Sequence, residues 1–192
     1  SHMSAQGNQF MVVAEEDLSA PIRSEEIRHW AMATDGIGFD QLLITKQDPT
    51  NPQHFFVQIF NADGSVAEQC GNGMRALALF VEEQYACDPN EGLCLITPAG
   101  PVSVHESHST EKLNTRWVRI TLPGPTTVKP MTPPPTCPAI NGMKVITGNP
   151  HWVLFWPNKP TADECDEWGQ VAQAHPAWPN GVNVGLAYMD QA

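Results

Sequence analysis

The sequence predicts a mixed α/β (α+β) chain in two lobes, and three features predict it. Short β-branched segments show apolar alternation, amphipathic stretches of helical period lie between them, and seven prolines are packed between Pro123 and Pro138. With 192 residues, 41% of them hydrophobic and 16% charged, the chain is long and apolar enough for one large domain or two small ones.

Ser1-His2-Met3 reads as the remnant of a cleaved tag and is set aside. Gln9 to Ala14 is short, apolar and β-branched and stops at Glu15-Glu16-Asp17, which marks a strand and a loop. A helix over 25–33 follows, with Ser24 as its cap and Ile27, Trp30 and Ala31 on one face; Gly36 and Gly38 end it. Strands are expected at 41–46 and 55–60, the second turning Phe55, Val57 and Ile59 to one side and Phe56, Gln58 and Phe60 to the other. A glycine-rich turn over 61–73 leads into a helix over 74–84 whose buried stripe is Met74, Leu77, Ala78 and Val81. Further strands are expected at 93–97, 102–105 and 118–122.

The proline-rich stretch cannot supply ladder or helix hydrogen bonds continuously, so it is expected to connect the lobes. The first lobe is then 4–122, the connector 123–138 and the second lobe 139–192. Beyond the connector, strands are expected at 143–147, 152–156 and 183–189. Thr161 and Glu164 spell a capping box for a helix, ahead of Trp168 and Val171.

Ten Lys and Arg against twenty-one Asp and Glu leave a net charge of -11, which argues against nucleic acid as a partner. No apolar run approaches the roughly 18 residues that span a bilayer, and no charged-then-apolar leader opens the chain, so a cytoplasmic protein with no membrane partner is expected. The five cysteines include no CxxC pair, so reduced thiols are expected, without a disulfide framework or zinc knuckle. His29, His54, His105, His108 and His175 have no ligand-like spacing, and no metal or other cofactor is expected.

The chemistry concentrates between Asn61 and Arg75, where three glycines and a cysteine immediately precede an amphipathic helix. At a helix N-terminus, the partial positive charge of unpaired N–H groups lowers a thiol pKa below about 8.5, so Cys70 is expected to be the most reactive thiol of the chain. The amides of Gly71, Asn72 and Gly73 can grip a carboxylate. A thiol base beside an anion socket suits removal of the α-proton of an amino acid, whose carbanion needs strong preorganised donors around its carboxylate. On local chemistry alone such a thiol also serves as a nucleophile or as core packing. Cys87, Cys94, Cys137 and Cys165 precede no glycine-rich helix start and read as structural or exposed.

Residues 61–75, N-A-D-G-S-x-A-x-x-C-G-N-G-x-R, resemble the signature of the diaminopimelate epimerase family, the pyridoxal-phosphate-independent amino-acid epimerases and racemases. Further blocks follow the family's order. Gly7-Asn8-Gln9-Phe10 resembles its G-N-D-F opening, the 36–41 segment its G-x-G-F-D-Q block, Gly148-Asn149-Pro150-His151 its G-N-P-H block and Asn183-Val184-Gly185 its N-x-G strand.

The resemblance implies two similar lobes, each a mixed β-sheet wrapped around a central helix, with the second lobe incomplete here. It implies Cys70 as one of two acid/base thiols, Asn8, Gln41, Asn61, Asn149 and Asn183 as substrate-binding residues, and Gly71 and Asn72 as carboxylate-gripping amides. His151 follows the G-N-P turn toward the same pocket. The implied activity is cofactor-independent epimerisation of L,L-diaminopimelate to the meso form, in lysine and peptidoglycan precursor synthesis. The implied partner is a small amino-acid substrate, and a homodimer is a possible assembly.

Three departures stand out. Only Ser4, Ala5 and Gln6 are left for the family's first strand, and Gln9 replaces the aspartate of its opening block. The sequence stops at Ala192, before the family's E-R-G segment and its second thiol block, A-C-G-[ST]-G. On its own the chain is therefore expected to be inactive or impaired. A histidine racemase or other amino-acid racemase of the same fold, and an inactive binding module that retains one half-site, are the alternatives.

Overall fold

The computed structural model describes residues 1–110 and 115–190, and the chain divides into two compact units, Ser1–Pro123 and Gly124–Ala192. In the first unit, the strands β1 (His2–Ala5), β2 (Asn8–Ala14), β3 (Gln41–Asp48), β4 (Asn51–Asn61), β5 (Val66–Ala67), β6 (Cys94–Thr97), β7 (Gly100–Ser109) and β8 (Arg116–Thr121) form one sheet. Its order is β1-β2-β3-β4-β6-β7-β8, with β5 paired to β4.

The residues set aside as a tag remnant belong to that sheet: β1 pairs antiparallel with β2, Ala5 opposite Asn8 and Met3 opposite Phe10. Gln6 and Gly7 make the connection with φ of 52° and 90°. Two positive φ angles in a two-residue loop are what a tight hairpin with right-handed strand twist requires. The first strand is therefore present, supplied by His2 and Met3 as well as by Ser4 and Ala5.

Two helices, α1 (Ser24–Ala31) and α2 (Gly71–Tyr85), cover opposite faces of the sheet. Met74, Leu77, Ala78 and Val81 of α2 are all fully buried, as their spacing predicts. The helix packs against β1, β2 and β3 from one end of the sheet order and against β7 and β8 from the other, so the sheet curls around it. Phe10, Leu43, Phe55, Ile59, Leu95 and Val102 complete this core, each contributing about 1.5–3 kcal/mol by burial.

Across the sheet, Ile27 of α1 meets Phe39, Leu42 and Ile44, so β3 is buried on both faces. Ser24 is the first residue of α1 and not its cap; the cap position is Arg23, whose N–H donates to the Glu26 carboxylate at 2.9 Å. The Ser24 hydroxyl donates instead to Gly64 O at 3.2 Å, which ties α1 to the turn that leads into α2.

The second unit holds β9 (Thr127–Pro130), β10 (Asn141–Thr147), β11 (Asn149–Phe155), α3 (Ala162–Gln173) and β12 (Asn183–Ala187), in sheet order β12-β11-β10-β9. β11 and β12 run parallel, whereas the other pairs are antiparallel. Part of the proline-rich stretch is therefore laddered: β9 pairs with β10, and as an edge strand it tolerates Pro130 at its end. Thr161 and Glu164 form the capping box that the sequence spells. The inward face of α3 carries Trp168 and Ala172, one turn apart, against Trp152, Leu154 and Trp156, whereas Val171 is 42% exposed. Among the described residues, no helix is long and apolar enough to cross a membrane.

Candidate active site

Asn8 opens β2, Gln41 opens β3 and Asn61 closes β4. Phe10 pairs with Gln41 and Gln41 with Asn61, so all three polar residues lie at the same end of adjacent strands. The Gln41 side-chain amide donates to Asn61 Oδ1 at 2.9 Å, and Asn61 Nδ2 donates to Ser65 Oγ at 3.0 Å. Asp63 fixes that serine in an Asx turn, accepting from the Ser65 N–H at 2.8 Å and from its hydroxyl at 2.6 Å. The hydroxyl and amide bonds from Ser65 hold the Asp63 carboxyl below the usual carboxylate range.

Cys70 is the N-cap of α2, with extended backbone at φ -148° and ψ 100°. Its sulfur accepts from the Gly73 N–H at 3.3 Å, the geometry by which an N-cap side chain satisfies the third helical amide. Gly73 is glycine for a packing reason: a Cβ there would lie 3.2 Å from a Phe10 ring carbon and 3.3 Å from Leu43. The helix start therefore rests directly on the sheet. From the same end, Asn72 Nδ2 donates to Asn8 Oδ1 at 3.1 Å, which joins the thiol helix to the strand end that carries Asn8.

The thiol's ionisation departs from the expected direction. Burial raises the Cys70 pKa above the ordinary thiol value, and it outweighs the lowering by the Gly73 and Asn72 amides and by the Arg75 charge. The helix terminus acts with the expected sign, but loss of hydration around the sulfur is the larger effect. Burial also raises Cys87, Cys94 and Cys137, whereas Cys165 on α3 is exposed. Two of the amides expected to grip a carboxylate, those of Asn72 and Gly73, are directed at the sulfur itself.

The Gln9 departure also has an explanation. Gln9 N–H donates to Asp40 Oδ2 at 2.8 Å and Asp40 N–H donates to Gln9 O at 2.9 Å, so position 9 is tied through its backbone. In the second unit, Gly148, with φ 84°, separates the paired Thr147 and Asn149. His151 lies opposite Asn183 in the parallel β11–β12 ladder, and its Nδ1 is 2.9 Å from Asn149 O. Asn149, His151 and Asn183 thus form a second polar group, within that unit.

Arg75 is the residue that sequence reasoning passed over. Its Nη1 donates to Gly71 O at 3.2 Å and to Asn72 Oδ1 at 3.3 Å, from one turn along the helix. The signal was present in the G-N-G-x-R spacing, because residues three and four apart on a helix are neighbours.

Residues 1–120 match the family model described as diaminopimelate epimerase. The chain is 31% identical over 205 aligned positions to the diaminopimelate epimerase of Pseudomonas aeruginosa, covering 96% of this chain and 68% of that relative. It is 34% identical over 190 positions to the enzyme of that name from Nitrosomonas europaea, covering 95% and 68%. Among solved structures, the fold resembles a predicted epimerase from Pseudomonas aeruginosa, with a TM-score of 0.63 at 14% identity over 96% of this chain and 64% of that one. It also resembles a phenazine biosynthesis protein of Bacillus anthracis, with a TM-score of 0.61 at 15% identity over 98% and 64%. The chain thus spans about two thirds of the length of the proteins it matches.

Proposed function

Because the chain belongs to the diaminopimelate epimerase family, we propose that it takes part in cofactor-independent epimerisation of L,L-diaminopimelate to the meso form, with Cys70 as one of two acid/base thiols. The observation that carries the proposal is the placement of Cys70: a half-buried thiol capping α2, joined through Asn72 to Asn8.

As thiolate, Cys70 takes the α-proton from one face of the substrate carbon, and a second thiol returns a proton to the other face. One inversion leaves Cys70 protonated and the second thiol ionised, ready for the reverse reaction; loss of the Cys70 proton to solvent and gain of one by the second thiol restore the starting state. Burial suits Cys70 to this chemistry. A thiol held protonated in the resting protein is ready as the acid, and a desolvated thiolate is the stronger base once formed. Donors around the substrate carboxylate stabilise the carbanion between the two transfers; the Gly71 amide would supply one, and Asn72, whose amide also serves the Cys70 sulfur, would supply another. Asn8, Gln41 and Asn61 are proposed as substrate-binding residues of the first unit, and Asn149 and Asn183 as those of the second taken by itself; an amide that both donates and accepts suits a zwitterionic end.

Within these 192 residues the C-G-N-G socket occurs once, and among the described residues Cys87, Cys94, Cys137 and Cys165 cap no helix. The chain by itself is therefore proposed to lack a placed partner thiol. The test is solvent-deuterium incorporation at the α-carbon of L,L-diaminopimelate, run with optical analysis of product on this chain, on its Cys70→Ala variant and on a version extended through an A-C-G-[ST]-G block. Cys70-dependent inversion by the extended version alone supports the proposal. Full inversion by the 192-residue chain, or by the alanine variant, overturns the two-thiol assignment. Faster turnover of L-histidine than of diaminopimelate overturns the substrate.

A further inference from the structure

Arg75 makes no ion pair among the described residues, although it lies five residues after Cys70 in a chain of net charge -11. Its guanidinium is spent on two oxygens of the helix start, Gly71 O and Asn72 Oδ1. A guanidinium has five N–H donors and no acceptor, so whatever faces it must be an acceptor, which for an amide side chain is its oxygen. That single constraint propagates. With its oxygen turned to Arg75, Asn72 must turn its NH2 to Asn8, and the Asn8 atom that receives it must again be oxygen. The NH2 of Asn8, an exposed residue, is then the end left to face outward.

We propose that Arg75 is a positioning residue that sets the polarity of the Asn72–Asn8 amide chain, so that Asn8 presents a hydrogen-bond donor and the site accepts a carboxylate at that point and disfavours an ammonium group. The proposal rests on the assignment of Asn8 to the substrate pocket and deepens it by assigning a charge preference. Asparagine alone carries no such preference, because its two ends are nearly the same size and exchange by rotation about one bond. Arg75 is well placed to remove the ambiguity. It sits three residues after Asn72 and four after Gly71 on a helix whose next residue, Ala76, is 2% exposed, so the backbone that carries it is held by the core. Its charge also favours a carboxylate over an amine in the same neighbourhood.

Side-chain amide NMR on the 15N-labelled 192-residue chain tests the polarity without substrate. In the wild-type protein the Asn72 NH2 should be slowed in solvent exchange and show contacts to Asn8, while the Asn8 NH2 exchanges as it does in water. Arg75→Lys, still donor-only, should keep this pattern. Arg75→Glu, acceptor-only, should reverse it and protect the Asn8 NH2, and Arg75→Gln should leave the two amides alike; backbone spectra check that each variant is folded, and the lysine and glutamine variants suffice if the glutamate variant is not. Protection of Cys70 from alkylation by L,L-diaminopimelate, read peptide by peptide, adds the specificity readout: similar protection in wild type and Arg75→Lys, and at least tenfold weaker in Arg75→Glu. If wild type is unprotected at any concentration, the assignment of the substrate pocket fails, and the amide pattern still decides the role of Arg75. Identical Asn8 and Asn72 amide behaviour across wild type, Arg75→Lys and Arg75→Gln overturns the proposal.

Discussion

Replacing Cys70 by serine should separate the two duties of that residue. A hydroxyl at the N-cap accepts from the third helical amide at least as well as a thiol, so Cys70→Ser should leave the unfolding midpoint nearly unchanged, whereas Cys70→Ala should lose about 0.5–2 kcal/mol. Both should abolish any Cys70-dependent proton exchange, since neither side chain ionises in the working range; equal stability of the serine and alanine variants in urea would mean that the cap bond contributes nothing. Alkylation near neutral pH should label Cys165 first, because it is the exposed thiol, whereas burial keeps the Cys70 proton on. Peptide-level mass spectrometry after a brief pulse checks that order. The place of Cys70 at a helix start was legible in C-G-N-G, but the direction of its ionisation was not: the helix terminus is written locally, whereas desolvation is created by strands and side chains distant in sequence.

At the scale of elements, α2 carries most of the first unit's packing, and two substitutions probe it differently. Leu77→Ala empties space at a fully buried position and should cost about 2–5 kcal/mol, read as a shift of the urea midpoint. Gly73→Val puts new atoms against Phe10 and Leu43, both fully buried, and should cost about 1–3 kcal/mol by overpacking while also weakening any ligand protection of Cys70. A stable, fully ligand-protected Gly73→Val protein would show that the helix start has room that the geometry denies. The elements best read from sequence were those with strong periodicity or a cap, namely β4, α2 and α3. His2 and Met3 were passed over because their composition resembles a tag, whereas pairing with β2 is what makes them a strand. The ladder of β9 was hidden by the prolines around it and by its own Pro130, which an edge position tolerates. Ser24 looked like a cap but spends its hydroxyl on Gly64, forty residues away.

For the whole molecule, four thiols, Cys70, Cys87, Cys94 and Cys137, have folded pKa values raised by burial. A raised folded pKa means that the native state holds its proton longer than the unfolded chain, so the stability it contributes is complete below the unfolded value and is lost as pH rises. Unfolding midpoints should therefore fall as pH climbs above about 8.5. A midpoint constant from pH 7 to 10 would contradict the burial of these thiols. We further propose that the 123–138 segment, which belongs to the second unit from Gly124 on, takes the first cut of a nonspecific protease, outside the laddered Thr127–Pro130; a first cut within 40–80 would rule this out.

The curl of the sheet around α2 also sets an order of events. The helix begins at Gly71, yet one of the strands it packs against, Arg116–Thr121, is made some forty-five residues later, so its burial depends on contacts of long sequence separation that are slow to form. Until that last strand docks, the desolvation that holds the Cys70 proton is missing while the helix start is already able to favour the thiolate. A newly made chain thus passes through an interval in which the Cys70 thiol is more accessible, and more readily ionised and oxidised, than in the folded protein, so the yield of protein with an intact thiol becomes a race between strand docking and the oxidant.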